Sequence, residues 1–223
     1  PDGKFLLCAE TTGPSATIDF GVVRLDSDGS LDPTFGTGGK VTYDFAGDAD
    51  KAYAMGLQPD GKIVLAGAVR SSGNYDLGAV RLNSDGSVDT AFGTAGEFLY
   101  PGTSTWAKSV AVQPDGKILL AGQNGNDFIV LRLTSSGVLD PAFGTGGVYT
   151  ATVGGTLNIL ESLSILSDGS VLASGSRASP SDFVVVKLDS TGAPFSGFGT
   201  SGIAEVPIGV GSAAAYQAKE LED

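Results

Sequence analysis

The sequence contains no histidine and a single cysteine, Cys8. Without histidine there is no side chain of near-neutral pKa to serve as general base, and the commonest zinc ligand is missing. A serine-histidine nucleophile is excluded on the same ground. One cysteine permits no disulfide within the chain. Cys8 stands in the apolar run Phe5–Ala9 and reads as a small buried hydrophobe. Basic residues are scarce as well: 13 Lys and Arg stand against 25 Asp and Glu, a formal net charge of −12. Nucleic-acid backbones and anionic membrane surfaces both require Lys and Arg, so neither is an expected partner. The acidic balance keeps a strand-rich chain soluble and discourages edge-to-edge pairing. No apolar run approaches the ~18 residues that span a bilayer. No segment reads as a secretory leader.

Glycine, by contrast, is abundant, at 34 residues, and sits in Asp-Gly, Ser-Gly and Gly-Gly pairs that mark tight turns. Between the turns runs a repeat. One phrase recurs at Asp19–Leu25, Asp76–Leu82, Asp127–Leu133 and Asp182–Leu188. Each copy is followed by Phe-Gly-Thr, beginning at Phe35, Phe92, Phe143 and Phe198, about 55 residues apart. A second phrase precedes each copy: Pro1-Asp-Gly-Lys4, Pro59-Asp-Gly-Lys62, Pro114-Asp-Gly-Lys117 and the altered Ser167-Asp-Gly-Ser170. Each repeat holds about four strand-like runs. In the second these are Lys51–Gln58, Lys62–Val69, Tyr75–Asn83 and a run beginning at Glu97–Tyr100. No helical periodicity appears before residue 212.

Four apolar strands in ~55 residues is the size of a propeller blade. The fold class is therefore all-β: a β-propeller built from four ~55-residue, four-stranded blade repeats, closed as a four-bladed ring or part of a larger one. Small residues Ala52, Ala54 and Gly56 on one face of an early strand suit the crowded region near a propeller axis. One domain is expected over 1–211, with repeats at about 1–50, 51–105, 106–157 and 158–211. The tail 212–223 is a closing strand, a short helix or a linker. The array opens in mid-pattern, so the first repeat lacks its first strand, and the chain is expected to be a piece of something longer.

The phrases Gln58–Gly67, Arg81–Ser87 and Phe92–Gly96 resemble the bacterial delta-60 repeat. The resemblance extends over roughly residues 1–205. It implies a β-propeller in a large secreted or cell-surface bacterial protein, and no enzymatic activity. The fourth copy departs most, with Ser167, Ser170, Lys187 and Phe195 in place of Pro, Lys, Arg and Asp.

Three groups of residues are candidates for function. Asp26, Asp28 and Asp32 stand at alternate positions around a glycine, as in calcium loops. No Glu closes the loop, and a tight turn accounts for Asp-Gly, so no metal is assigned and no other cofactor is expected. Arg24, Arg81 and Arg132 recur with Asp32, Asp89 and Asp140. In the fourth copy both partners change together, to Lys187 and Phe195, which marks an ion pair within each of the first three repeats that the fourth lacks. The third group lies in irregular segments: Thr11–Ile18, Arg70–Tyr75, Gln123–Asn126 and Arg177–Ser181, with linkers 47–50, 100–106 and 154–158. They carry Arg70, Tyr75, Trp106, Asn124, Asn126 and Arg177, whose ring faces and amide and guanidinium donors suit a sugar or peptide. Trp106 also begins a strand, where core packing is the competing role. The function expected is non-enzymatic recognition or adhesion, with a glycan or protein partner, outside the cell or on its surface. Oligomers could form through a parent protein. A carbohydrate-active enzyme or a structural spacer are the alternatives.

Overall fold

The computed structural model describes residues 3–13, 17–45, 47–71, 73–154, 158–177, 182–207 and 215–220. Fifteen strands and no helix form among them. They make four antiparallel meanders, each following the chain order of its strands. The first sheet has three strands, β1 (Phe5–Thr12), β2 (Ile18–Leu25) and β3 (Lys40–Tyr43). The others have four: β4 (Lys51–Leu57) to β7 (Glu97–Tyr100), by way of β5 (Ile63–Ser71) and β6 (Asn74–Leu82); β8 (Thr105–Val112) to β11 (Val148–Ala151), by way of β9 (Ile118–Asn124) and β10 (Asp127–Leu133); and β12 (Asn158–Ile165) to β15 (Ile203–Pro207), by way of β13 (Val171–Arg177) and β14 (Asp182–Leu188). The strands expected of the second repeat are all present, and the described residues of the first repeat form three strands.

The central strands are apolar nearly throughout because both faces are covered. β5 is buried from Ile63 to Val69, and β10 from Phe128 to Leu133. Asp-Gly turns, and a Ser-Gly turn after β10, bound them, with glycine in the left-handed region at Gly61, Gly86, Gly116 and Gly137. The chain divides into two compact units, Pro1–Trp106 and Ala107–Asp223. The core of the first is built on Phe20, Phe35, Ile63, Leu65 and Leu82. That of the second is built on Leu119, Phe128, Phe143, Leu160 and Val186.

Two details differ from expectation. β4 has a bulge at Tyr53: Ala52 pairs with Gly67 and Ala54 with Ala66. Those partners are neighbours on β5, so Ala52 and Ala54 face opposite sides of the sheet rather than sharing one. β12 has its bulge at the matching position, Glu161. In the tail, Ala215–Glu220 form neither strand nor helix; Ser164 Oγ donates to Ala218 O at 3.1 Å. Good helix formers over so short a span do not overcome the cost of nucleation. The remainder of the tail lies outside the described residues. No described helix is long and apolar enough to cross a membrane.

Candidate functional site

The repeat phrases come together as a clamp. In the first repeat Arg24 Nε donates to Asp32 Oδ2 at 2.6 Å, and Lys4 Nζ meets the same oxygen at 2.7 Å. In the second, Arg81 and Lys62 hold Asp89 at 2.8 and 2.9 Å. In the third, Arg132 and Lys117 hold Asp140 at 2.8 and 3.4 Å. Each guanidinium also lies over the Phe-Gly-Thr ring of its own repeat: Arg24 over Phe35 at 4.5 Å, Arg81 over Phe92 and Arg132 over Phe143, both at 4.7 Å. Among the described residues the fourth repeat has no such ion pair; Lys187 Nζ lies 4.4 Å from the Phe195 ring centre.

The clamp also joins neighbouring repeats. Gly36 N donates to Asp85 O at 2.8 Å, and Arg24 Nη1 donates to Ser84 O. In the second unit Gly144 N donates to Thr191 O at 2.7 Å and Arg132 Nη1 to Ser190 O at 2.6 Å. The turn glycine of the later repeat lies directly against the earlier corner. A Cβ on Gly192, whose φ is +82°, would stand 2.7 Å from Gly144 N. These arginines and aspartates are consequently structural parts.

The turn carboxylates weighed for calcium are engaged by the protein's own donors. Asp26 and Asp32 meet Lys4, and Asp28 accepts from Ser30 N at 2.9 Å and from its hydroxyl at 2.6 Å. Lys4 is the foremost influence holding the Asp32 carboxyl well below the usual carboxylate range.

The loop candidates divide between the two units. In the first, Arg70 pairs directly across β5–β6 with Tyr75, so both side chains leave one face of the hairpin end. The Tyr75 and Trp106 rings meet edge-on at 6.4 Å. Arg70 keeps 43% of its side chain exposed, with Asp48 3.8 Å away. Tyr75 and Trp106 are half-buried, and the Trp106 indole N–H is enclosed without a hydrogen-bond partner among the described residues. Sequence reasoning missed Tyr53, whose bulge places it where its hydroxyl senses the charge of Glu10 and Tyr75; burial is the main cause of its raised pKa. The only advance signal was a large ring inside a small-residue strand.

In the second unit Asn124 is half-buried at the end of β9 and Asn126 is exposed. The Asn126 carbonyl accepts from Asn158 Nδ2 at 2.5 Å. Arg177 is nearly buried. Its guanidinium pairs with Asp182, with Glu205 at 2.9 Å and with Val153 O at 2.6 Å. Of the irregular segments, residues 14–16, 72, 155–157 and 178–181 lie outside the described residues.

A further group lies on the first sheet's loop side. Carboxylate oxygens of Asp19, Asp44 and Asp50 lie within 4.8 Å of one another. Asp50 accepts from Phe45 N at 2.9 Å and Arg70 N at 3.1 Å. Burial pushes its carboxyl up to about 6 against those two hydrogen bonds, with lesser help from Asp44 and Asp19.

Residues 1–35, 58–92 and 113–143 match the family model described as a beta-propeller domain of unknown function (DUF5122). The chain carries β-propeller repeats. Each matched segment ends on or with a clamp phenylalanine: Phe35, Phe92 and Phe143. The fourth propeller repeat, with its altered clamp, lies outside the matched segments. A solved structure titled "Streptogramin B lyase structure" is similar over 90% of this chain and 54% of that one, at 13% identity and a TM-score of 0.47. No curated protein matches the chain.

Proposed function

We propose that this chain is a non-enzymatic recognition module of a secreted or cell-surface bacterial protein, its sheets the blades of a delta-60 propeller. The observation that supports this most is the cluster Arg70, Tyr75 and Trp106. It joins one half-exposed guanidinium to two aromatic rings, at a hairpin end where the repeat pattern requires none of them. Aromatic faces stack on sugar rings or apolar side chains, and a guanidinium supplies hydrogen bonds in a fixed fork. In this reading a glycan or peptide docks at that end. The Asn124–Asn126 loop offers amide groups in the second unit. Arg177 holds β13, β14 and β15 together and does not take part.

The test is a glycan and peptide array probed with the whole chain, in calcium and in chelator. A specific ligand lost at least tenfold in both Arg70→Ala and Trp106→Ala would support the reading. Arg70→Ala guards against a folding defect, since its side chain is half exposed. A ligand that binds equally well after both substitutions would place recognition elsewhere.

A further inference from the structure

Asp19 opens the recurring phrase of its repeat, and its counterparts show how a carboxylate at that position is satisfied. In the fourth repeat Asp182 lies directly across the ladder from Arg177, whose guanidinium neutralises it together with Glu205. In the second, Asp76 accepts from Gly102 N at 2.9 Å. In the first repeat the residue across the ladder from Asp19 is Thr11, and no ion pair reaches Asp19 or Asp50 among the described residues. Two more carboxylates converge there instead. Asp44 follows β3 where the other repeats have Pro101, Thr152 and Pro207. Asp50 precedes β4 where the others have Thr105 and Asn158. The repeat architecture therefore does not demand this trio.

Asp19 is fully buried. Its Oδ1 accepts from Thr17 Oγ1 at 3.1 Å, while Oδ2 is enclosed with no hydrogen-bond partner among the described residues. The Gly13 backbone lies over that oxygen, so close that a Cβ there would stand 1.6 Å from it. A carboxylate oxygen shut away from water without a donor is costly unless a positive charge meets it. Asp50, also fully buried, has its two oxygens fixed by backbone N–H groups, which leaves their remaining lone pairs available. Asp44 is held from its own loop by Gly47 N and stays half-buried, giving the group an open side.

We infer that Asp19, Asp44 and Asp50 form a binding site for a hard divalent cation of the calcium class. Three carboxylate oxygens supply the anionic ligands, and water completes the shell from the Asp44 side. The absence of histidine and thiolate from the group favours a hard ion over zinc or copper. The ion takes the place that Arg177 fills in the fourth repeat. The site is distinct from the turn carboxylates Asp26, Asp28 and Asp32, and it stands apart from the recognition reading.

The test is calcium titration of the whole chain by calorimetry and thermal unfolding, in about 0.15 M salt so that weak surface association is screened. One saturable site is expected, with the melting temperature rising by roughly 5 °C over the chelator-treated protein. Asp19→Asn and Asp44→Asn should each weaken binding at least tenfold, and the Asp28→Asn control should leave it unchanged. Asp44→Asn alters a half-buried side chain, so the test survives a folding defect in Asp19→Asn. No saturable binding would overturn the inference, as would calcium binding that persists in Asp44→Asn. It would also fail if Asp50→Asn stabilised the chelated protein while the natural chain ignored calcium, since a proton shared among the carboxyls would then satisfy the group.

Discussion

Arg132 does three things with one side chain: it neutralises Asp140, covers the Phe143 ring and donates to Ser190 O. Replacing it with methionine strands a buried carboxylate that Lys117 compensates only in part. Arg132→Met should cost about 3 kcal/mol in urea unfolding, and Lys187→Met less than about 1. Gly192 and Gly146 both have positive φ, but only Gly192 faces another backbone. Gly146→Ala should therefore cost about 1–2 kcal/mol from conformation alone, and Gly192→Ala clearly more in the same assay. Cys8 lies half-buried against the first core, and burial raises its thiol from 9.0 to about 11. Alkylation in mildly alkaline buffer should run roughly a hundredfold slower in the native than in the unfolded chain. At this scale the arginine–aspartate pairs were legible because both partners change together in the fourth copy. Their lysine was equally visible in Ser170 but went unread. Asp19 was hidden, since it looked like any other repeat position and its companions arrive through loops.

The strands were legible because their apolar runs end at Asp-Gly turns, and β4 to β7 fall where those turns place them. The bulge at Tyr53 was not. An extra residue leaves composition untouched and becomes apparent only when the ladder with β5 is drawn. The turn between β4 and β5 also proves more than a connector, since its Lys62 reaches Asp89 beyond β6. Lys62 is the largest influence holding the Asp89 carboxyl below its ordinary 3.8, against the opposing effect of burial. A carboxyl depressed in the folded state stabilises the fold above 3.8, and that contribution disappears as pH falls through the native value. Lys62→Met should lower the urea midpoint at neutral pH and flatten its decline below pH 3.8. A decline as steep as that of the natural chain would refute the linkage.

The two compact units each contain one complete clamp joint, Arg24 to Ser84 in the first and Arg132 to Ser190 in the second. The two arginines share no partner, so the costs of Arg24→Met and Arg132→Met should add within about 0.5 kcal/mol in the double variant. A larger discrepancy would mean that the two arginines are energetically coupled. The all-β class was readable from repeat length and turn spacing alone. The identity of the proposed ligand was not, because the proposed site lies in loops that the repeat leaves unconstrained.

The joint between repeats has a direction. Gly36 and Gly144 give their N–H groups forward to a later turn, so the donor corner of one repeat meets the acceptor turn of the next. Such an interface is heterologous, like the coupling of railway carriages. A gene segment duplicated in whole repeats inherits both halves of the coupling, and the lengthened array needs no new contact at the splice. A duplication that is not a whole number of repeats leaves a donor corner or an acceptor turn without its match. Growth or shrinkage of such proteins is thereby channelled into steps of one repeat, while the loops at the other end remain free to diverge copy by copy.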